Sequence, residues 1–124
     1  MKQILAIAAG GALGSVLRFW ISGWVSGILG RGFPYGTLVV NVSGSLLMGF
    51  IYVLLVDKFN ASAEWRAVLL IGLLGGFTTF SSFSMETFNL LEAGEIVKAF
   101  MNVVLSVVVC LAATWLGVVV GRQV

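Results

Sequence analysis

Residues Gly75 to Ser84 read Gly-Gly-Phe-Thr-Thr-Phe-Ser-Ser-Phe-Ser, placing three phenyl rings among five hydroxyls inside an otherwise apolar stretch. In lipid a hydroxyl is costly unless it finds a partner or faces water. The glycine pair weakens a helix at that point. A polar, breakable segment at membrane depth lines a cavity or a substrate path. Two further polar stripes accompany it. Thr37, Asn41 and Ser45 recur every fourth residue, as do Asn102, Ser106, Cys110 and Thr114. Four-residue spacing puts each set on one helix face. Interhelical hydrogen bonding explains any one of these residues; the three features together point to a lined pathway.

These side chains offer hydrogen bonds without formal charge, which suits a small anion. A phenyl ring is electropositive at its edge, and Phe77, Phe80 and Phe83 recur at intervals of three. Such a row serves core packing in most proteins. Beside a hydroxyl track, ring edges can also hold a small hard anion without trapping it, where a fixed Lys or Arg would bind too tightly for passage. A helix break near Gly75 and Thr78 would free carbonyl oxygens, which are hard ligands for a monovalent cation. Arg18 suits snorkelling, pairing with a neighbour, or concentrating anions at a vestibule. Glu86, two residues after the run, suits a cap, a pair with Arg18, or proton carriage.

The elements that must position these groups follow from composition. The chain has 124 residues, 60% hydrophobic and only 10% charged. Soluble domains carry roughly a quarter charged residues, so this is a membrane protein of one domain. With no histidine and a single cysteine, Cys110, it has no imidazole relay, internal disulfide or Cys-Cys metal cluster. No catalytic constellation is evident, and a net charge of +2 does not indicate nucleic acid. The stretch after Lys2 is too long for a cleavable leader and reads as the first span. A spanning helix needs about 20 apolar residues. Four segments qualify, at about 4–29, 35–56, 65–91 and 96–120. Ser62 is placed to cap the third, and Gly94 to end it. Trp20, Trp24, Tyr35, Trp65 and Trp115 lie towards span ends, where interfacial aromatics belong.

Four spans put both termini on one side. Lys2, Lys58, Arg66 and Arg122 flank that side, and Arg31 and Lys98 flank the other, joined by Arg18 if it snorkels that way. This bias is weak by the positive-inside rule, so both single and dual insertion fit the charges. Four helices are too few to enclose an aqueous pore alone. The small-xxx-small pairs Gly10/Gly14, Gly23/Gly27, Gly72/Gly76 and Gly117/Gly121 allow close helix approach, within one subunit or between two.

The sequence resembles the Fluc (CrcB) family of fluoride channels over essentially its whole length. The strongest match runs from Gly75 through Phe80, Phe83 and Ser84 to Glu86. Gly10-Gly11-Ala12-Leu13-Gly14 followed by Arg18, and Gly36-Thr37-Leu38 followed by Asn41-Val42-Ser43-Gly44-Ser45, support it. The resemblance implies an all-α membrane protein with four transmembrane helices, the third broken mid-membrane. It implies an antiparallel, dual-topology homodimer with two fluoride pores in the bacterial inner membrane, exporting fluoride passively. It also implies a structural sodium ion on the dimer axis, held by the Gly75 and Thr78 carbonyls. Phe80 and Phe83 match the phenylalanines that face fluoride through their edges, and Asn41 matches the pore amide. Thr79, Ser81, Ser82 and Ser84 match the motif hydroxyls; Ser82 stands where many members carry Thr. Ser106 and Thr114 fit a polar track, in which Cys110 takes a position better served by a hydroxyl.

Two other classes compete. A small multidrug transporter shares the size and the four spans but needs an embedded carboxylate, whereas the only charge in the first span is Arg18. A non-transporting membrane assembly protein would explain the glycines but not the hydroxyl–phenyl run. Proton-coupled fluoride exchange is a third reading, which reversal potentials that ignore pH would exclude.

Overall fold

Where no water can satisfy the backbone, an apolar chain must close its hydrogen bonds within each segment. The computed structural model, which spans residues 1–124, is accordingly all helical. Helix α1 is Lys2–Leu29 and α2 is Tyr35–Lys58. The third hydrophobic stretch, Ala63–Glu92, comprises α3 at residues 63–77 and α4 at Phe80–Glu92. Helix α5 is Ile96–Gln123. Four stretches are thus long and apolar enough to cross a membrane. The C-terminal end of α2 (Val53–Lys58) and the middle of α3 (Ala67–Leu74) are π-helical. As expected, the Trp65 N–H donates to Ser62 Oγ (3.4 Å) at the start of α3. Gly94, at φ 78°, closes the turn before α5, a conformation that costs glycine little.

Glycine sets the packing. A Cβ at Gly10 would overlap the Val68 carbonyl oxygen, and one at Gly76 would come within 2.9 Å of the Gly11 carbonyl. Helices α1 and α3 therefore meet backbone to backbone, their contacts advancing together along both chains in parallel. On the other side of the bundle, Gly49 abuts the Thr114 carbonyl and Gly117 abuts the Leu46 carbonyl, so α2 and α5 form a second parallel pair. Gly36 packs on the Ser22 carbonyl and joins the two pairs. Close approach of this kind lets dispersion and weak polar contacts hold helices that gain nothing from hydrophobic association in lipid. Gly23 and Gly27 meet nothing within 4 Å, so the remaining small-residue pair is open on the single chain. Only 20 of 124 residues are buried, and most of the apolar surface points outward, towards lipid or another subunit.

Candidate functional site

Between α3 and α4 the backbone leaves the helix for two residues. Thr78 (φ −91°, ψ 158°) and Thr79 (φ −151°, ψ 118°) are both extended. They follow Gly76 and Phe77, which pack against Gly11, Gly14 and Ser15 near the midpoint of α1. Helical hydrogen bonds are redistributed there. The Thr79 N–H, which a continuous helix would return to the Gly75 carbonyl, donates to Asn41 Oδ1 (2.7 Å). The Ser82 N–H, which would return to the Thr78 carbonyl, donates to Thr79 Oγ1 (3.1 Å), making Thr79 the N-cap of α4. Asn41 Nδ2 in turn donates to the Thr79 carbonyl (2.9 Å). Asn41 thus clamps both polar groups of one extended residue and keeps a single amide N–H free.

Arg18 has a comparable part. Its Nε donates to the Gly76 carbonyl (3.0 Å), another oxygen left over where the helix ends. Arg18 does not pair with Glu86; the one ion pair is Lys98–Glu95, at 4.0 Å and half exposed. Replacing Arg18 by Met should leave the Gly76 oxygen unsatisfied and lower stability by about 1–3 kcal/mol, read as a fall in Tm in detergent, with Lys recovering part of the loss. Unchanged Tm in Arg18→Met, with only a salt-dependent change in transport, would assign Arg18 to attracting ions instead.

Beside this junction α2, α4 and α5 enclose an open groove of about 430 Å³. Of the residues expected at a pathway, Asn41, Thr79, Phe80, Phe83, Ser106 and Thr114 line it, together with Thr78. Phe83 is buried while Phe80 is 76% exposed. Their ring centroids lie 5.3 Å apart with planes tilted by 53°. Ser106 is buried, and the Thr114 hydroxyl donates to the Ser45 carbonyl (3.3 Å). Ser81, Ser82 and Ser84 do not line the groove: Ser81 and Ser82 gather around Thr79 Oγ1 (3.2 Å each), and Ser84 bonds the Phe80 carbonyl (3.0 Å). Gly75 and Arg18 also lie outside it. Asn102, first in the α5 stripe, is buried and donates to Thr87 Oγ1 (2.9 Å), so it serves packing between α4 and α5.

The groove has contributors beyond the expected set. Gly44 and Met48 continue the Asn41 face of α2, and Val107 and Leu111 adjoin the stripe on α5. Extending the Asn41 spacing by three, four and seven residues finds Gly44, Ser45 and Met48, so that signal was available. No side chain lining the groove is charged. Elsewhere, two smaller cavities of about 230 and 390 Å³ share Ser26, Arg31 and Glu86, and Glu86 Oε1 is buried there without a partner.

The chain has no cluster of three or more His, Cys, Asp or Glu able to hold a metal ion. A cation at the junction would meet backbone, hydroxyl and amide oxygens. The Gly75 and Thr78 carbonyls fit that role, since Asn41 and Thr79 have taken the N–H groups that a helix would supply to them.

The fold and groove define a multi-pass helical membrane protein with an uncharged, polar and aromatic recess against a helix junction. Comparison with known sequences identifies the family. The sequence model described as CrcB-like protein, Camphor Resistance (CrcB), matches residues 5–118, and the chain belongs to that family. A Geobacter metallireducens protein is 53% identical over 99% of both chains. A Coxiella burnetii protein is 49% identical over 98% of both. A Methylococcus capsulatus protein is 54% identical over 98% of this chain, which spans about half of that relative's length (53%). Each of the three bears the name fluoride-specific ion channel FluC.

Proposed function

We propose that this chain is a fluoride-selective ion channel rather than an enzyme, conducting passively and exporting fluoride from the cytoplasm to limit its toxicity. The observation that carries the reading is the uncharged groove, in which amide, hydroxyl and phenyl groups meet, in a family whose full-length relatives are named for that ion. Fluoride is small, hard and strongly hydrated. Donors from Asn41 and Ser106 and the edges of Phe80 and Phe83 replace part of its water without fixing it as a cation would.

The groove is open along one side, and closing it calls for a second copy. The weak basic bias permits opposite insertion, so the pair is an antiparallel homodimer in the bacterial inner membrane with two fluoride paths. Sodium on the dimer axis would be held by the Gly75 and Thr78 carbonyls of both subunits; when bound it supplies positive charge near the entering anions. The deciding experiment is fluoride efflux from liposomes containing only this protein, with chloride as the control and no proton gradient. Efflux of fluoride but not chloride, with a reversal potential independent of pH, is expected. Silence, or flux that follows the proton gradient, overturns the reading. Tag accessibility should find termini on both faces; a single orientation in all molecules rejects the antiparallel pair. Exhaustive replacement of sodium by a large organic cation should abolish fluoride flux without any sodium being carried. Full activity after that exchange removes sodium from the assignment.

A further inference from the structure

Arg31, in the turn between α1 and α2, makes no ion pair; the chain's one such pair joins Lys98 and Glu95. Glu86 reaches the same place from α4, and its Oε1 is buried without a hydrogen-bond partner. Both side chains line both of the smaller cavities. An unpaired cation and an unsatisfied carboxylate oxygen thus border one space without joining each other. A bare buried acceptor is costly. A guest that carries both charges answers both groups: an anion for Arg31 and an N–H-bearing cation for Glu86. A purely anionic guest would face the carboxylate, and a purely cationic one the guanidinium. The larger cavity, about 390 Å³, extends from Arg31 along α1 past Ser26 and Gly23 to Phe19 and Trp20. The rise from Phe19 to Leu29 is about 15 Å, half of the ~30 Å hydrocarbon layer. Phe19, Trp20 and Trp24 are exposed, and a Cβ at Gly23 or Gly27 would meet nothing within 4 Å. Four-residue spacing sets Gly23 and Gly27 in line with Phe19, beside the row of Trp20 and Trp24. The glycines therefore leave a furrow walled by indole rings, leading from the charged end towards the bilayer centre. None of these residues lines the fluoride groove.

We infer that this flank of α1 binds a phospholipid whose headgroup is zwitterionic and carries a primary ammonium, phosphatidylethanolamine. The phosphate lies on Arg31, the ammonium on Glu86, and an acyl chain in the Gly23–Gly27 furrow. A guanidinium meets two phosphate oxygens at once, and the ammonium has three N–H donors, one of which supplies what Glu86 Oε1 lacks. A choline headgroup keeps both charges but has no N–H to give. A glycerol headgroup keeps the phosphate and has no cation. A second copy that closes the fluoride groove takes up a different set of residues and leaves this furrow to lipid. The inference does not depend on which ion the protein conducts.

The test is native mass spectrometry of the full-length protein in detergent, with equimolar phosphatidylethanolamine, phosphatidylcholine and phosphatidylglycerol of matched acyl chains. One phosphatidylethanolamine per chain is expected, preferred over each of the others by roughly tenfold, as for one charge-assisted hydrogen bond. Equal uptake of all three by the wild type is annular lipid only and overturns the site with no variant needed. Glu86→Gln should bring phosphatidylethanolamine down to the level of phosphatidylcholine; a preference that survives the change removes Glu86 from the site. Arg31→Gln should lower retention of all three by roughly tenfold, and unchanged retention removes the phosphate contact. Glycerophosphoethanolamine, which has the headgroup without acyl chains, should not displace the lipid at equal concentration; displacement overturns the furrow. Gly23→Trp, a change for which the single chain has room, should fill the furrow and reduce lipid uptake with the oligomeric state unchanged. Loss of the oligomer in that variant would place a second copy on this face and overturn the lipid.

Discussion

Phe80→Ile and Phe83→Ile should each cut fluoride efflux by about tenfold or more, which corresponds to a loss of about 1.4 kcal/mol at the slowest step. Isoleucine keeps apolar bulk but has no electropositive edge to offer an anion. The two variants differ in what else they disturb. Phe83 is buried, so its replacement also repacks α4. Phe80 is 76% exposed on the single chain, and its loss leaves that chain's packing nearly intact. Phe80→Ile is therefore the cleaner measurement. The tilted arrangement of the two rings adds a constraint, since aromatic pairs lean edge to face. Removing either ring also frees the other to reorient, and the double variant should lose less than the product of the single losses. Efflux at the wild-type rate in both single variants, with the protein still folded, would reduce the rings to packing.

Much of the architecture was legible because membrane helices are written plainly in hydropathy. Ala63–Glu92 and Ile96–Gln123 begin and end within three residues of the stretches read from the sequence at about 65–91 and 96–120. The four-residue spacing of Ser106, Cys110 and Thr114 likewise placed them on one face, and all three meet the same groove. Asn102 continues that spacing yet bonds to Thr87, because periodicity gives a face but not what lies opposite. Glycine spacing marked close approach at Gly10/Gly14, Gly72/Gly76 and Gly117/Gly121, but could not separate them from Gly23/Gly27, which meet nothing in the chain. The π-helical turns at Val53–Lys58 and Ala67–Leu74 left no signal, since they rebalance backbone bonds without a marker residue. Arg18 was weighed against Glu86 as a charge partner, yet its Nε bonds to the Gly76 carbonyl. Freed backbone oxygens are competitive partners wherever a helix ends, and sequence does not list them.

Asn41→Asp tests the same point at the site itself and should be among the most damaging conservative changes available. The wild-type amide meets the Thr79 peptide with a donor at its carbonyl (2.9 Å) and an acceptor at its N–H (2.7 Å). Aspartate keeps the acceptor but turns the donor into a second oxygen, set against the Thr79 oxygen. Leaving a partly buried carbonyl without its donor costs about 1–3 kcal/mol, and the new charge faces a groove proposed to admit anions. Fluoride efflux should fall by at least about tenfold, with a lower Tm. Acidification should restore part of both, because the protonated carboxyl again offers an O–H to Thr79. Asn41→Ala separates the two roles. If Asn41 acts through the clamp, alanine also lowers Tm and loosens the extended Thr78–Thr79 pair, which hydrogen exchange would report. Should alanine keep Tm and exchange unchanged while abolishing efflux, Asn41 acts by direct contact with the ion, through its one remaining N–H, and the junction holds its shape without it.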